Sequence, residues 1–327
     1  MNSIENNILN PKFDLTFSII IPTYERPEAL SRCLQALTKL QYPQECFEVI
    51  VVNDGGQSAL TSVTAPFKRR LNLQLLQQAN GGPAAARNFG ALYARGRFFA
   101  FTDDDCTPAP DWLQTLARHF AAEPGCALGG QTLNALPHNP YSSASQLLIH
   151  YLYAYYHRRQ TAHTQPPFFT TNNMALPADQ FRKLNGFNLT LRCAEDRDLC
   201  QRWLEAGYNL CYVPEARVYH YHQLTLRTFW QQHFHYGRGN FGFQQLRTRR
   251  DQSHANKPEA GSFYLNMARY PFAVVGGRRA LVLTSLLILS QAGNVTGYAS
   301  AWLGQAMRQG FNWNLVREDR CPDSYYS

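Results

Sequence analysis

Arg97-Phe98-Phe99-Ala100-Phe101-Thr102-Asp103-Asp104-Asp105 is the stretch that decides how this chain is read. Phe98 to Phe101 is a short apolar run, which reads as a strand buried on both faces. Three consecutive carboxylates close it. Aspartate and asparagine are common turn residues and helix caps, and that accounts for any single acidic loop. It accounts poorly for three aspartates directly after an apolar strand, because adjacent carboxylates repel unless something positive lies among them.

Outward from this stretch the pattern recurs. Phe17-Ser-Ile-Ile-Ile-Pro22 and Phe47-Glu-Val-Ile-Val-Val52 are further apolar, β-branched strands, and Leu71, Leu73 and Leu75 mark a weaker one. Between them lie helices: one opened by Pro27 with Leu30, Leu34 and Leu37 on one face, an Ala-rich one over 83–95, and one over 111–120 with Asp111 as cap. Strands alternating with helices predict an α/β fold with a mixed, mainly parallel sheet flanked by helices. In such sheets ligands bind at the carboxyl ends of the strands. Here those ends carry Thr23-Tyr24-Glu25-Arg26, Asn53-Asp54-Gly-Gly and the three aspartates, so carboxylates from three loops meet on one rim. An Asp-x-Asp run there suits a hard cation, Mn2+ or Mg2+, which takes oxygen ligands and a substrate phosphate.

The chain has 327 residues, 45% of them hydrophobic and 17% charged, enough to build a core and too apolar for a disordered chain. Its net charge of +8 is unevenly placed. Residues 1–216 hold 18 Lys+Arg and 18 Asp+Glu, and residues 217–327 hold 13 and 5, so the whole excess lies in the last third. That disfavours a uniformly basic nucleic-acid binder. The division expected is a polar lead-in at 1–15, a catalytic domain at 16–216 and a basic, mostly helical region at 217–327. Eight cysteines lack any Cys-x-x-Cys pair, which argues against zinc ribbons and redox motifs. They read as small apolar residues of a reducing cytosol rather than a disulfide scaffold. The start of the chain shows no apolar signal-peptide core.

Five ordered motifs carry a resemblance: Ser18-Ile-Ile-Ile-Pro-Thr-Tyr-Glu-Arg-Pro, Val49-Ile-Val-Val-Asn-Asp-Gly, Asn80-Gly-Gly-Pro-Ala-Ala-Ala-Arg-Asn, Phe101-Thr-Asp-Asp-Asp, and Glu195-Asp196 opening a helix. In order and spacing, over about residues 16–240, they resemble the family 2 glycosyltransferases. The resemblance implies the GT-A fold, a nucleotide-sugar donor, a divalent metal and inversion at the anomeric carbon. It implies that Pro22, Thr23, Tyr24 and Glu25 lie by the nucleotide, that Asp54 accepts a hydrogen bond from the base, and that Gly81, Gly82 and Arg87 line the diphosphate region. It places Asp103 and Asp104 by the ribose and sugar and Asp105 on the metal, although the run itself does not distinguish the three parts, and Asp103 is a second candidate ligand.

Asp196, with Glu195 beside it, resembles the family's general base; a single displacement requires the acceptor hydroxyl to lose a proton as it attacks. An acidic residue in the first turn of a helix is also stabilised by the helix dipole, and both readings can hold. Asn172 and Asn173 resemble acceptor-side loops and equally suit a turn, with Asn173 taken as the sugar-binding candidate. The resemblance also puts His220, in Val218-Tyr-His-Tyr-His222, near the metal and diphosphate, while His233 and His235 read as packing or surface residues. Gly237-Arg-Gly-Asn-Phe-Gly242 matches G-x-G-x-x-G but follows a helical segment, so a dinucleotide site is rejected. It reads as a helix end with a mobile loop, from which Arg238 can reach the diphosphate.

Residues 280–292, ALVLTSLLILSQA, are 13 apolar residues, short of the ~20 of a spanning helix. They read either as a buried helix or as an interfacial one, where basic neighbours meet anionic lipid. The expected function is transfer of a sugar, by default from a uridine diphosphate carrier, to a glycan, lipid-linked or small-molecule acceptor at the cytoplasmic membrane face. A processive polymer synthase is disfavoured, since no spanning helix appears and Gln201-Arg-Trp lacks the spaced Gln-x-x-Arg-Trp form. The competing classes are a metal-dependent nucleotidyltransferase, which would carry a glycine-rich loop after the first strand, and a non-catalytic scaffold, which would have lost Asp105 or Asp196.

Overall fold

Strands β1 (Phe17–Thr23) and β2 (Phe47–Asp54) are buried at every position, as their unbroken apolar runs predict. Alternate side chains serve opposite faces of the sheet. Ile19 and Ile21 join Val49, Val51 and Phe98 on one side, whereas Ile20 joins Ile50, Val52 and Phe101 on the other. The computed structural model describes residues 15–158, 168–250 and 259–315, with side chains to 308, so all but the last residue of the expected lead-in lies outside the described residues.

With β3 (Leu73–Gln78), β4 (Phe98–Phe101), β5 (Cys106–Pro108), β6 (Ala127–Asn134), β7 (Met174–Pro177) and β8 (Leu210–His220), they form one eight-stranded sheet in the order β3-β2-β1-β4-β7-β6-β8-β5. The β3-β2-β1-β4 half is parallel. β7 runs antiparallel to both β4 and β6, β8 runs parallel to β6, and β5 closes the edge antiparallel to β8, with Cys106 opposite His220.

Helix α1 (Pro27–Leu37) starts on Pro27 and buries Leu30, Leu34 and Leu37. The short α2 (Leu60–Thr64) precedes β3. α3 (Pro83–Tyr93) lies so close to β1 that a Cβ on Gly90 would come within 2.7 Å of Ile20. α4 (Trp112–Ala122) stacks Phe120 on Phe98 with ring centroids 3.9 Å apart. α5 (Pro140–Arg158), α6 (Ala178–Lys183) and α7 (Glu195–Glu205) follow, then α8 (Leu226–Arg250), α9 (Gly261–Val274) and α10 (Gly277–Leu315).

Three expectations change here. The glycine stretch 237–242 is the interior of α8, not a helix end with a loop. Gly237 is there for close packing against α10: a Cβ on it would lie 2.0 Å from the Asn294 carbonyl oxygen, and from the α10 side one on Gly297 would lie 1.9 Å from that of Phe234. The apolar run at 280–292 is only part of α10, whose residues Gly277–Arg308 are long and apolar enough to cross a membrane by length and composition. And Cys126 and Cys211, 85 residues apart, form a disulfide where β6 and β8 pair, whereas Cys33, Cys46, Cys106 and Cys200 are free and buried as small apolar residues. Gly297→Ala is expected to destabilise the protein by about 1–3 kcal/mol, the usual cost of forcing atoms into a packed contact. A urea melt with the wild-type midpoint would show that the two helices separate freely.

Candidate active site

The rim predicted from the sequence is assembled at the carboxyl ends of β1, β2 and β4. Each of the three aspartates has its own positive or donating partner. Asp103 Oδ1 accepts from Arg87 Nη2 at 2.7 Å. Asp104, with 0% exposure, accepts from Thr23 Oγ1 at 2.6 Å and pairs with Arg26 Nη2 at 2.7 Å. Asp105 pairs with Arg26 Nη1 at 2.9 Å and with His220 Nε2 at 3.3 Å. Charge repulsion within the run is thus offset by two arginines and a histidine from three distant parts of the chain.

The partners set the acidities. Burial drives the Asp104 carboxyl up to about 7, against the pull of Arg26 and the Thr23 hydrogen bond. Burial also opposes ionisation of Asp105, but the His220 hydrogen bond and charge, with Arg26, hold it well below the ordinary carboxylate range. For His220 burial disfavours the charge, and Asp105 outweighs it and raises the imidazole pKa. His220 stacks on His222 at 4.7 Å, and burial together with the His220 charge lowers His222 to about 4.

Around the nucleotide side, Pro22 is buried in β1 and Tyr24 is exposed. Glu25 accepts from the Ser58 hydroxyl at 2.6 Å and from the Gln57 N–H, which lower its pKa. Asp54 is buried at the end of β2. It accepts from Gln78 Nε2 at 2.7 Å and from the N–H groups of Gly81 and Gly82 at 2.8 Å each. The structure therefore gives Asp54 the work of shaping the glycine turn, which Gly82 completes at φ 86° before α3 begins.

Arg87 is the link between the two halves of the site. Buried on α3, it reaches Asp103 with one nitrogen and Glu195 Oε1 with the other at 3.1 Å. Burial works against its charge, and Asp103 and Glu195 more than compensate, raising its pKa. Glu195 and Asp196 open α7 behind Ala194, which adopts a left-handed φ of 68°. Asp196 Oδ1 accepts from the Arg197 N–H at 2.8 Å. Burial raises the Asp196 carboxyl, and burial with the Asp196 charge lifts Glu195 to about 7. The helix is tied down by Asp198, which holds Arg202 and Arg250 at 2.7 and 2.8 Å.

A cleft of about 790 Å³ runs past Arg87, Asp103, Glu195, Asp196 and His220 and on between α5, α8 and α10. Of the other expected site residues, Asp104, Asp105 and the loop residues Pro22, Thr23, Tyr24, Glu25, Asp54, Gly81 and Gly82 lie off its lining, as do Asn173 and Arg238. Asn173 is buried, taking the indole N–H of Trp112 and donating to Ala216 and Gln131, so it ties the sheet together, and Asn172 lines the cleft instead. Arg238 is exposed in the middle of α8 and is not among the lining residues. The sequence reading missed the bridging role of Arg26, although it quoted the loop, and it missed His233, which lines the cleft.

The match to the family described as glycosyl transferase family 2 covers residues 18–184, about half of the chain. The chain belongs to glycosyl transferase family 2. A further match, to the family described as the N-terminal domain of galactosyltransferase, covers 160–224. Among curated family 2 relatives, the pre-mycofactocin glycosyltransferase of Mycobacterium tuberculosis is 30% identical over 67% of this chain and 46% of its own length. The glycosyltransferase AglE of Haloferax volcanii is 37% identical over 30% of this chain and 33% of its own length. The chain thus spans about half the length, or less, of these relatives. The fold is GT-A. A Pyrobaculum calidifontis mannosyltransferase solved with GDP-Man and Mn2+ matches 89% of this chain and 92% of its own, with a TM-score of 0.57 at 17% identity.

Proposed function

We propose that this family 2 protein is an inverting glycosyltransferase that moves a sugar from a nucleoside diphosphate carrier to an acceptor hydroxyl. The observation that carries the proposal is the single cleft in which Asp103, Arg87, Glu195, Asp196 and His220 stand together. Uridine is the default nucleotide, and a cell-surface glycan or lipid-linked precursor the acceptor. Asp196 takes the proton of the attacking hydroxyl, the new glycosidic bond forms at the anomeric carbon, and the departing diphosphate keeps the electron pair of the broken bond. Arg87 holds Asp103 towards the donor sugar and Glu195 beside the base.

The donor set fits a divalent cation. An ionised Asp105 carboxylate beside the Nε2 of His220 offers oxygen and imidazole, suited to Mn2+, with oxygen ligands for Mg2+. Asp105 and His220 would hold the ion, with Asp103 as a further oxygen donor. When bound, it would offset the charge of the leaving diphosphate. Arg26 sits on the same carboxylates and is half exposed, so a bound cation would compete with it for Asp105.

A panel of nucleoside diphosphate sugars with and without Mn2+ tests the reading. Ligand binding stabilises by mass action, so the true donor is expected to raise the melting temperature by several degrees, more with metal present. Release of pyrophosphate in place of nucleoside diphosphate would identify a nucleotidyltransferase, and binding with no turnover of any acceptor would identify a scaffold.

We further propose that the C-terminal helices rest on an anionic membrane. Leu281, Ile288, Val295 and Trp302 recur every seven residues on α10 and are 55–67% exposed. Leu265 and Phe272 on α9 are exposed too, and Arg269 on α9 and Arg278 on α10 are exposed cations of the same two helices. Sedimentation with phosphatidylglycerol vesicles at low salt is the expected result, weakened by Arg278→Glu. A protein that stays in the supernatant removes the membrane from the account.

A further inference from the structure

Antiparallel pairing of β5 with β8 sets Cys106 directly opposite His220, so the two side chains stand on one face of the sheet edge. Asp105 precedes Cys106 in the turn that leads into β5. Its two carboxylate oxygens are used differently. Oδ2 accepts from Arg26 at 2.9 Å, whereas Oδ1 faces His220 Nε2 at 3.3 Å and Cys106 Sγ at 3.9 Å. One oxygen, one nitrogen and one sulfur thus lie within 4.8 Å of one another. Tetrahedral bonds of about 2.0–2.3 Å to such ligands set the ligand atoms roughly 3.3–3.6 Å apart, so both separations from Oδ1 are close to those of a zinc seat. Among the described residues a second grouping of this kind, Glu123 with Cys126 and Cys211, has both sulfurs tied up in the disulfide and offers no thiolate.

The sulfur changes what the seat prefers and what it does. Thiolate ligands select zinc, whereas Mn2+ and Mg2+ suit carboxylate and water oxygen. A coordinating thiol gives up its proton to solvent, and Sγ then brings a negative charge to the ion. An ion held by Asp105, His220 and this thiolate therefore carries one unit less positive charge than an ion held by Asp105 and His220 alone. The lost unit is one that would otherwise face a diphosphate.

Resting on the metal seat proposed above, we propose that Cys106 is its third ligand and makes it an inhibitory zinc site: Zn2+ binds Asp105, Cys106 and His220, excludes Mn2+, and gives the nucleoside diphosphate a weaker anchor.

Cd2+ titration of the full chain tests this, because a cadmium–thiolate bond absorbs in the ultraviolet and a bond to oxygen or nitrogen does not. The buffer is free of thiols, which keeps the Cys126–Cys211 disulfide closed. One equivalent of Cd2+ is expected to produce the band, Zn2+ to abolish it at a matching concentration, and Mn2+ to need about 100-fold more. Zn2+ outbinds Mn2+ at many sites without sulfur, so the variants decide. Cys106→Ala is expected to remove the band and to weaken Zn2+ binding at least about tenfold, with Mn2+ binding near wild type. Cys106→Val serves if the alanine variant fails to fold. Cys193→Ala, at the free thiol that lines the main cleft, is expected to keep the band. In a second arm, uridine or guanosine diphosphate is expected to bind the wild type about tenfold more weakly with Zn2+ than with Mn2+, and Cys106→Ala equally well with either ion. The proposal is overturned if no thiolate band appears, if the band survives Cys106→Ala or is lost from Cys193→Ala, or if Zn2+ supports nucleotide binding by the wild type as well as Mn2+ does. A wild type that binds neither diphosphate with any ion removes the transferase reading instead, and the band alone then decides the zinc site.

Discussion

Asp196→Asn is expected to lower the turnover number by about 100- to 10,000-fold, the range for a lost general base, while donor affinity stays near wild type. The geometry makes the substitution clean. Asp196 uses Oδ1 to accept from the Arg197 N–H, an interaction that the asparagine oxygen can keep. The buried ion pair that organises the neighbourhood belongs to Arg87 and Glu195, not to Asp196. A pH profile adds an independent check. Burial raises the Asp196 carboxyl above its ordinary value, and Glu195 beside it titrates at about 7. A base must be deprotonated to act, so the rate is expected to go on climbing with pH past the point at which an ordinary aspartate would have levelled off. The asparagine variant should lack that rise. Equal loss of turnover and donor binding would show that Asp196 maintains the Arg87 network and is not the base.

Asp105→Asn is expected to weaken metal-dependent binding of the nucleoside diphosphate about 100-fold, in line with about 3 kcal/mol for a lost charged interaction. Asp105 is the one member of the acidic run joined to both Arg26 and His220. Neutralising it takes away the oxygen donor that adjoins the imidazole and leaves Arg26 with Asp104 alone. The Mn2+-dependent part of the thermal shift should vanish, and the shift given by nucleotide without metal should remain. A variant that still responds fully to Mn2+ would move the ion to Asp103.

The parallel half of the sheet was legible because β1, β2 and β4 are covered on both sides and so carry uninterrupted apolar runs. β6 was not. Its centre is Gly129-Gly130, weak strand residues that are present because a Cβ there would meet the Phe169 ring at 2.0 Å and the Ala216 carbonyl oxygen at 2.1 Å. The partners that force those glycines lie 40 and 86 residues away, beyond the reach of local pattern. α10 was cut short at 292 for the same reason: Gly293, Asn294 and Gly297 interrupt its apolar sequence where it meets α8. In the site, motif order located the acidic loops and the helix that Glu195 and Asp196 open. The sequence showed that the aspartates need positive charge, and it did not show that Arg26, Arg87 and His220 supply it. Asn173 stands next to an asparagine that faces the cleft, and the turn at 171–173 sends the two side chains in different directions.

At 1.5 Å per residue, the 39-residue α10 is a rod about 58 Å long. Along one side it walls the cleft that runs past Asp196, and along another it carries the heptad-spaced apolar stripe, with Val295 at the boundary of the two. A molecule seated by that stripe would have its tilt and height fixed by a single stiff beam. The reactive groove would then open at a constant distance from the supporting sheet of lipid, and the reach of a tethered acceptor, as much as its fit, would decide which hydroxyl is glycosylated.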